Sequence, residues 1–201
     1  MVPEGWILKD RSVFIEDHSV LIVSDIHFCG KSKLANDIRN RLIKLIHEFN
    51  PKKIVLNGDT FNGFPFDSYD INVLTEMSDY VSEIIILPGN HEEKIGGFTE
   101  DIKNNFTVKS EYMIDNVLIH HGHHTPTKKS DYNIIGHIHP SKDDVPVYLY
   151  GKDTYYNSSV LILPAFSKNV GNINIEDYNY NYHCPIISDG ESISEYKIEY
   201  V

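Results

Sequence analysis

The stretch Val20-Leu21-Ile22-Val23-Ser24-Asp25-Ile26-His27 decides how the chain is read. Its first half is apolar on both faces, the pattern of a strand buried in a sheet that is covered on each side. Its second half turns polar at once, and an Asp and a His two residues apart at the end of a buried strand need a sheet edge or a partner. Upstream, Ser12 to Glu16 and Ser19 to Val23 are β-type runs separated by Asp17-His18, which reads as a hairpin turn. Downstream, Leu34, Ile38, Leu42, Leu45, Ile46 and Phe49 follow helical spacing up to Asn50-Pro51, and Lys53 to Leu56 is the next strand. Strand, helix and strand with short joints imply a parallel pair and a right-handed crossover, so both strand ends emerge on one side.

The same event recurs along the chain. The strand at Lys53 runs into Asn57-Gly58-Asp59-Thr60-Phe61-Asn62. After a break at Gly63 to Pro65, Ile71, Leu74, Met77 and Val81 suggest a second helix, and the strand Glu83 to Leu87 ends in Pro88-Gly89-Asn90-His91-Glu92. The glycines at 58 and 89 allow tight turns that bring these side chains close. Val108 to Ile114 and Val117 to His120 read as a hairpin about Asp115-Asn116, opening into His120-His121-Gly122-His123-His124. Tyr132 to Ile135 is a short strand followed by Gly136-His137-Ile138-His139; in an extended segment residues i and i+2 share a face, so both imidazoles can serve one site. Beyond it, Val145 to Tyr150, Val160 to Leu163, Ile173 to Ile175, Ile186-Ile187 and Ile193 to Tyr200 supply enough strands for a second sheet. The Tyr- and Asn-rich segment Asp177 to His183 reads as a surface loop or edge strand ahead of a base-stacking platform.

Composition bounds the answer. With 201 residues and 41% hydrophobic content, one domain over 1–201 with a real core is expected. Lys+Arg is 18 against Asp+Glu 29, a formal net charge of -11, which argues against a broad basic surface for nucleic acid. It leaves room for a local cationic site, because bound divalent metals would be the largest charges in their neighbourhood. Two cysteines, Cys29 and Cys184, exclude a disulfide framework or a thiolate zinc cluster and fit a reduced, cytoplasmic setting. No cationic start with a long apolar core and no run near 18 apolar residues is present, so a soluble protein without membrane partners is expected.

Collected, the strand ends supply Asp25, His27, Asp59, Asn90, His91, His121, His137 and His139, an oxygen- and imidazole-rich set without thiolate that suits more than one divalent ion. In this order the chain resembles the calcineurin-like metallophosphoesterases, whose D-x-H, G-D-x-x-[DN], G-N-H-[DE], H-G-H and G-H-x-H blocks correspond to Asp25-Ile26-His27, Gly58 to Asn62, Gly89 to Glu92, His121-Gly122-His123 and Gly136 to His139. Leu163-Pro164-Ala165-Phe166 followed by Gly171 is similar to the small, uncapped subgroup that includes DNA-ligase-associated phosphoesterases. The resemblance implies an α/β fold, a four-layered αββα sandwich of two mixed β-sheets flanked by helices.

It also implies a two-metal site, with Asp25, His27 and His139 on one ion, Asn90, His121 and His137 on the other, and Asp59 bridging. The ions would be manganese, with iron, zinc or nickel as alternatives. A pair roughly 3.5 to 4 Å apart can share a hydroxide and clamp phosphoryl oxygens during in-line displacement. His91 is then the acid for the leaving oxygen, steadied by a neighbouring carboxylate; Asn62 is expected to hold the Asn90 or His91 region, and His123 to contact substrate. Cys29 is expected to be a small buried residue, and Lys128 and Lys129 a solvated loop.

The expected activity is hydrolysis of a phosphodiester or phosphomonoester; the alternative is a non-catalytic scaffold of this fold that binds a protein partner. The ligase-associated likeness favours a nucleic-acid substrate, whereas the acidic balance favours a nucleotide or other small phosphoester. A homo-oligomer is compatible with either.

Overall fold

A computed structural model describes residues 2–62, 68–92, 105–153, 157–175, 184–188 and 193–195. Strands β1 (Trp6–Lys9), β2 (Ser12–Ile15), β3 (Val20–Val23), β4 (Lys53–Asn57), β5 (Glu83–Leu87) and β6 (Phe106–Val108) form one mixed sheet in sequence order. β1 to β3 are antiparallel and β3 to β6 parallel. Helices α1 (Lys33–Phe49) and α2 (Ser68–Met77) make the crossovers. The second sheet holds β7 (Tyr112–Ile114), β8 (Val117–Ile119), β9 (Tyr132–Ile135), β10 (Pro140–Lys142), β11 (Val145–Asp153), β12 (Ser158–Ile162) and β13 (Ile173–Asn174), with β14 (Cys184–Ser188) and β15 (Ile193–Glu195) added through β11.

The apolar runs of β3 to β5 are explained by what covers them. Leu21, Val23, Ile54, Leu56, Ile84 and Ile86 face the helices, meeting Ile38, Leu42 and Leu45 of α1 and Leu74 and Met77 of α2. The alternate residues Ile22, Val55, Ile85 and Leu87 face the second sheet, meeting Ile119, Ile134 and Leu161. The architecture is thus the α/β sandwich of two mixed sheets face to face. Both described α-helices stand on the first sheet, and the outer face of the second carries a smaller cluster around Val147, Leu149, Val160 and Ile162. Helix α1 starts where Ser32 Oγ accepts the Ala35 N–H at 3.0 Å and ends at Asn50, which takes the left-handed conformation at φ 45°.

Register is what gathers the site. Val23 lies opposite Leu56 and Leu56 opposite Ile86, so the segments after β3, β4 and β5 leave the first sheet at one level. In the second sheet, parallel pairing of Ile119 with Ile134 and of Ile135 with Ile162 does the same for the segments after β8, β9 and β12. The carboxyl ends of both sheets therefore meet along one seam, where open α/β sheets place their sites.

Two strands escape the sequence reading, for one reason. β1 joins β2 through Asp10-Arg11 (φ 43° and 64°) and β10 joins β11 through Asp143-Asp144 (φ 49° and 64°). Both are two-residue turns with positive φ, normally announced by Asn-Gly or Asp-Gly, and neither contains glycine. The run Val108 to Ile114 is not one strand either: Val108 ends β6 in the first sheet, and Tyr112 begins β7 in the second. The segment 177–183 lies outside the described residues, as do Gly63 to Pro65. Among the described residues no helix is long and apolar enough to cross a membrane.

Candidate metal centre

Asp25 and Asp59 are buried carboxylates at the seam, and each is oriented mainly through one oxygen so that the other faces inward. Asp25 Oδ2 accepts the Ser24 hydroxyl at 2.6 Å and the His137 N–H at 3.0 Å. Asp59 Oδ1 accepts the His91 N–H at 3.0 Å. Around the inward oxygens the imidazole Nε2 atoms converge: His139 at 2.9 Å and His121 at 3.8 Å from Asp25 Oδ1, and His121, His27 and His91 at 3.4, 3.8 and 3.9 Å from Asp59 Oδ2. Asp25, His27, Asp59, His137 and His139 all have positive φ, between 47° and 66°. Such backbone strain persists where surrounding structure over-determines it, and it clusters at functional sites.

The imidazoles are set in tautomers that present Nε2. His121 Nδ1–H donates to the Asn57 carbonyl at 2.9 Å, and His139 Nδ1–H to the Gly171 carbonyl at 2.8 Å. Their Nε2 lone pairs then face carboxylate oxygens, an arrangement of acceptors against acceptors that requires a cation between them. Without a metal, the same carboxylates favour protonation of these imidazoles. Burial alone would lower His121, but its approach to Asp59 and the charges of Asp25 and Asp59 outweigh this and raise it to about 9. His139 is raised in the same way by Asp25, whereas burial pushes His27 and His137 down. Against its own burial, Asp25 is held low by His139 and His121, and Asp59 is held low by His121 and His91.

Three sets of side chains lie close enough to hold an ion, with ligand atoms within 4.8 Å of one another: Asp25, His27 and His139; His27, Asp59 and His91; and Asp59, His121 and His137. The residues fit metal on a second count. His27 Nε2, His121 Nε2 and Asn90 Oδ1 are buried without a hydrogen-bond partner, a costly state for polar atoms that a ligated cation would relieve.

Glycines admit this crowding. A Cβ on Gly58 would lie 2.1 Å from His121 Nδ1, one on Gly89 2.1 Å from Asp59 Oδ1, and one on Gly136 1.8 Å from Ser24 Oγ and 2.5 Å from Asp25 Oδ2. Only Gly58 also has the left-handed backbone, φ 82°. At 89 and 136, close approach is what requires glycine.

Not every expected residue falls where the sequence reading put it. His137 and His139 do not sit on an extended segment: β9 ends at Ile135, both have left-handed φ, and they turn to different sets of side chains. Asn62 is exposed; its N–H donates to the Phe28 carbonyl at 2.9 Å, and among the described residues its side chain holds neither Asn90 nor His91. His123 stands beside the centre, its ring centroid 5.2 Å from that of His121 and 6.1 Å from that of His137. Cys29 is exposed rather than buried, with a free thiol. Lys128 and Lys129 are exposed, and Lys128 pairs with Glu111 at 3.5 Å.

Glu92 is the structural residue that the pattern reading passed over. The carboxylate near His91 is Asp59; Glu92, buried, accepts the N–H groups of Asp59 at 3.0 Å, Phe61 at 2.8 Å and Gly89 at 2.7 Å. It ties the turn after β4 to the turn after β5. Glu92→Gln puts an amide donor against N–H donors, and a loss of about 1–3 kcal/mol in unfolding free energy is expected. Urea unfolding of the metal-free protein measures it, and an unchanged midpoint would remove Glu92 from this role. Behind Asp25, Phe166 N–H and Ser167 N–H donate to the carbonyls of Ser24 and Asp25 at 2.9 and 3.1 Å, which gives Leu163 to Phe166 its place in the site.

This fold and this donor set define a metallophosphoesterase. The sequence profile of the calcineurin-like phosphoesterases matches residues 18–159, and the chain belongs to that family. Among solved structures it is similar to the nuclease MPE of Pseudomonas putida, at 17% identity and a TM-score of 0.71 over 95% of this chain and 94% of that one. It is also similar to YfcE, a phosphoesterase from E. coli, at 15% identity and a TM-score of 0.50 over 90% of this chain and 99% of that one. At these identities the likeness establishes the shared fold. No curated protein matches the sequence significantly.

Proposed function

We propose that this chain is a single-domain, divalent-metal-dependent hydrolase of phosphodiester or phosphomonoester bonds in a nucleotide or nucleic acid, working in the cytoplasm. The observation that carries this reading is the pair of inward carboxylate oxygens faced by imidazole Nε2 atoms that have no other partner. Asp25, His27 and His139 would hold one ion, and Asn90, His121 and His137 the other, with Asp59 shared, since it alone of the carboxylates belongs to two of the three sets. Manganese suits this oxygen and imidazole set, as do iron, zinc and nickel. Two divalent cations held there would supply positive charge for the phosphoryl oxygens and would lower the pKa of an attacking water.

The chain's own groups do the rest. Ser24, the His137 N–H and the His91 N–H keep the two carboxylates from rotating. His91, with an Nε2 3.9 Å from Asp59 Oδ2 and its ring at the solvent edge, can hand a proton to the departing ester oxygen. His27 supports that ring edge-on, the centroids 4.8 Å apart.

Hydrolysis of bis-p-nitrophenyl phosphate in manganese buffer tests the reading, with Asp59→Ala and His91→Ala as variants. Asp59→Ala is expected to be inactive. His91→Ala is expected to lose roughly 10²- to 10⁴-fold on esters with an alkyl leaving group and less on p-nitrophenyl esters, whose leaving oxygen needs no proton. A protein that binds two metals yet turns over no phosphoester faster than the Asp59 variant is the scaffold, and the enzyme reading fails. Equal losses on both ester types would make His91 a metal ligand.

A further inference from the structure

A cavity of about 570 Å³ adjoins the centre on the side of the second sheet, within the size range of small-ligand sites. It adjoins the centre at His121, which lines the cavity and faces Asp59. Pro88, Pro126, His123 and His124 line it. The His123 and His124 rings lie 4.2 Å apart at 37°, so one imidazole supports the other.

Its described wall carries two carboxylates, Glu92 and Glu111, beside four imidazoles, and Lys128 pairs with Glu111. Among the described lining residues there is no Lys or Arg. The Glu111 carboxylate is fixed: Oε2 accepts the Thr127 N–H at 3.0 Å, Oε1 accepts the Thr127 hydroxyl at 2.5 Å, and Lys128 lies 3.5 Å from Oε1. A carboxylate has about four acceptor positions, so a ligand donor still finds a place on it. A flat uncharged ring with N–H groups would meet imidazole rings and a fixed acceptor.

We propose that this cavity binds the nucleobase of a mononucleotide ester whose phosphate lies at the metal centre, which makes the enzyme a hydrolase of small nucleotide phosphodiesters. The inference rests on the phosphoesterase reading above. It sets the wall of the cavity, with Glu111 and the His123–His124 pair, as the specificity element, and it gives His123 a substrate contact through a base. A polynucleotide substrate is the alternative that the test distinguishes.

The test uses esters that share a leaving group and one negative charge at the scissile phosphate: p-nitrophenyl thymidine 5′-phosphate and methyl p-nitrophenyl phosphate, in one manganese buffer. Base binding is expected to raise kcat/KM for the thymidine ester on the order of tenfold or more over the methyl ester, the scale of a base–aromatic contact. A short single-stranded oligonucleotide carrying the same terminal ester is expected to do no better than the mononucleotide. Ser110→Trp, which narrows the cavity from an exposed wall position, is expected to cut the thymidine-to-methyl ratio about tenfold. Glu111→Gln serves as a second variant, expected to lower the same ratio. Free thymidine is expected to inhibit the native protein competitively and Ser110→Trp much more weakly. Equal kcat/KM for the two small esters, or an oligonucleotide preferred over the mononucleotide, overturns the inference and leaves the phosphoesterase reading intact. No turnover of any ester overturns the phosphoesterase reading itself.

Discussion

Gly89→Ala is expected to abolish hydrolysis and to weaken metal binding severely, although it removes no ligand. The added methyl would lie 2.1 Å from Asp59 Oδ1 and 2.4 Å from Asp59 N, so rotating the carboxylate away does not relieve it; the turn after β4 must itself move. That turn is held to the one after β5 through Glu92, which accepts both the Asp59 and Gly89 N–H groups. Overpacking of this kind costs about 1–3 kcal/mol of stability. The larger effect is on function, because a shift of about 1 Å in a positioned group costs roughly 10²-fold in rate. Calorimetric titration with manganese, beside turnover, gives the measurement. Full metal stoichiometry with native turnover in Gly89→Ala would show that Asp59 is not held where the structure puts it.

His137→Ala and His139→Ala are expected to remove different metals. His139 Nε2 meets Asp25 Oδ1 and belongs with Asp25 and His27; His137 belongs with Asp59 and His121. Each variant should keep one equivalent of ion and lose the other by more than the roughly 10- to 100-fold that an outer partner costs. The two should differ in severity. His139 is fixed at both ring nitrogens, with Nδ1–H on the Gly171 carbonyl, whereas His137 is exposed and its place is open to a water ligand. Metal analysis after dialysis, with the manganese electron-spin signal of a coupled pair as a second readout, separates the outcomes. If both changes deplete the same ion, the division of the GHIH segment between two ions is wrong.

Much of the architecture was legible because burial leaves a pattern in sequence. Continuous apolar strands such as Val20–Val23 and Glu83–Leu87 need cover on two sides, and α1 and the second sheet provide it. Strand boundaries were less legible where turns lacked their usual residues, as at Asp10-Arg11 and Asp143-Asp144, or where a polar break at Lys109 to Glu111 passed the chain from one sheet to the other. The ligand-type residues were legible from their recurrence after each strand. Their partition between two ions came from the family resemblance and not from spacing, because an i, i+2 relation implies a common face only in extended backbone, and the strained turns at 25, 27, 137 and 139 have none.

By itself, the sequence determined which residues arrive at the strand ends, that they bring oxygen and imidazole rather than thiolate, and that parallel strands deliver them to one side. Those properties depend on residue type and local periodicity, both written along the chain. Only the tertiary structure decided at what distance each imidazole meets its carboxylate, that Glu92 clamps two turns, and that a cavity bounded by Glu111 opens beside His121. These depend on distances across the seam between two sheets, such as the 3.4 Å from His121 to Asp59, which no spacing along the chain encodes.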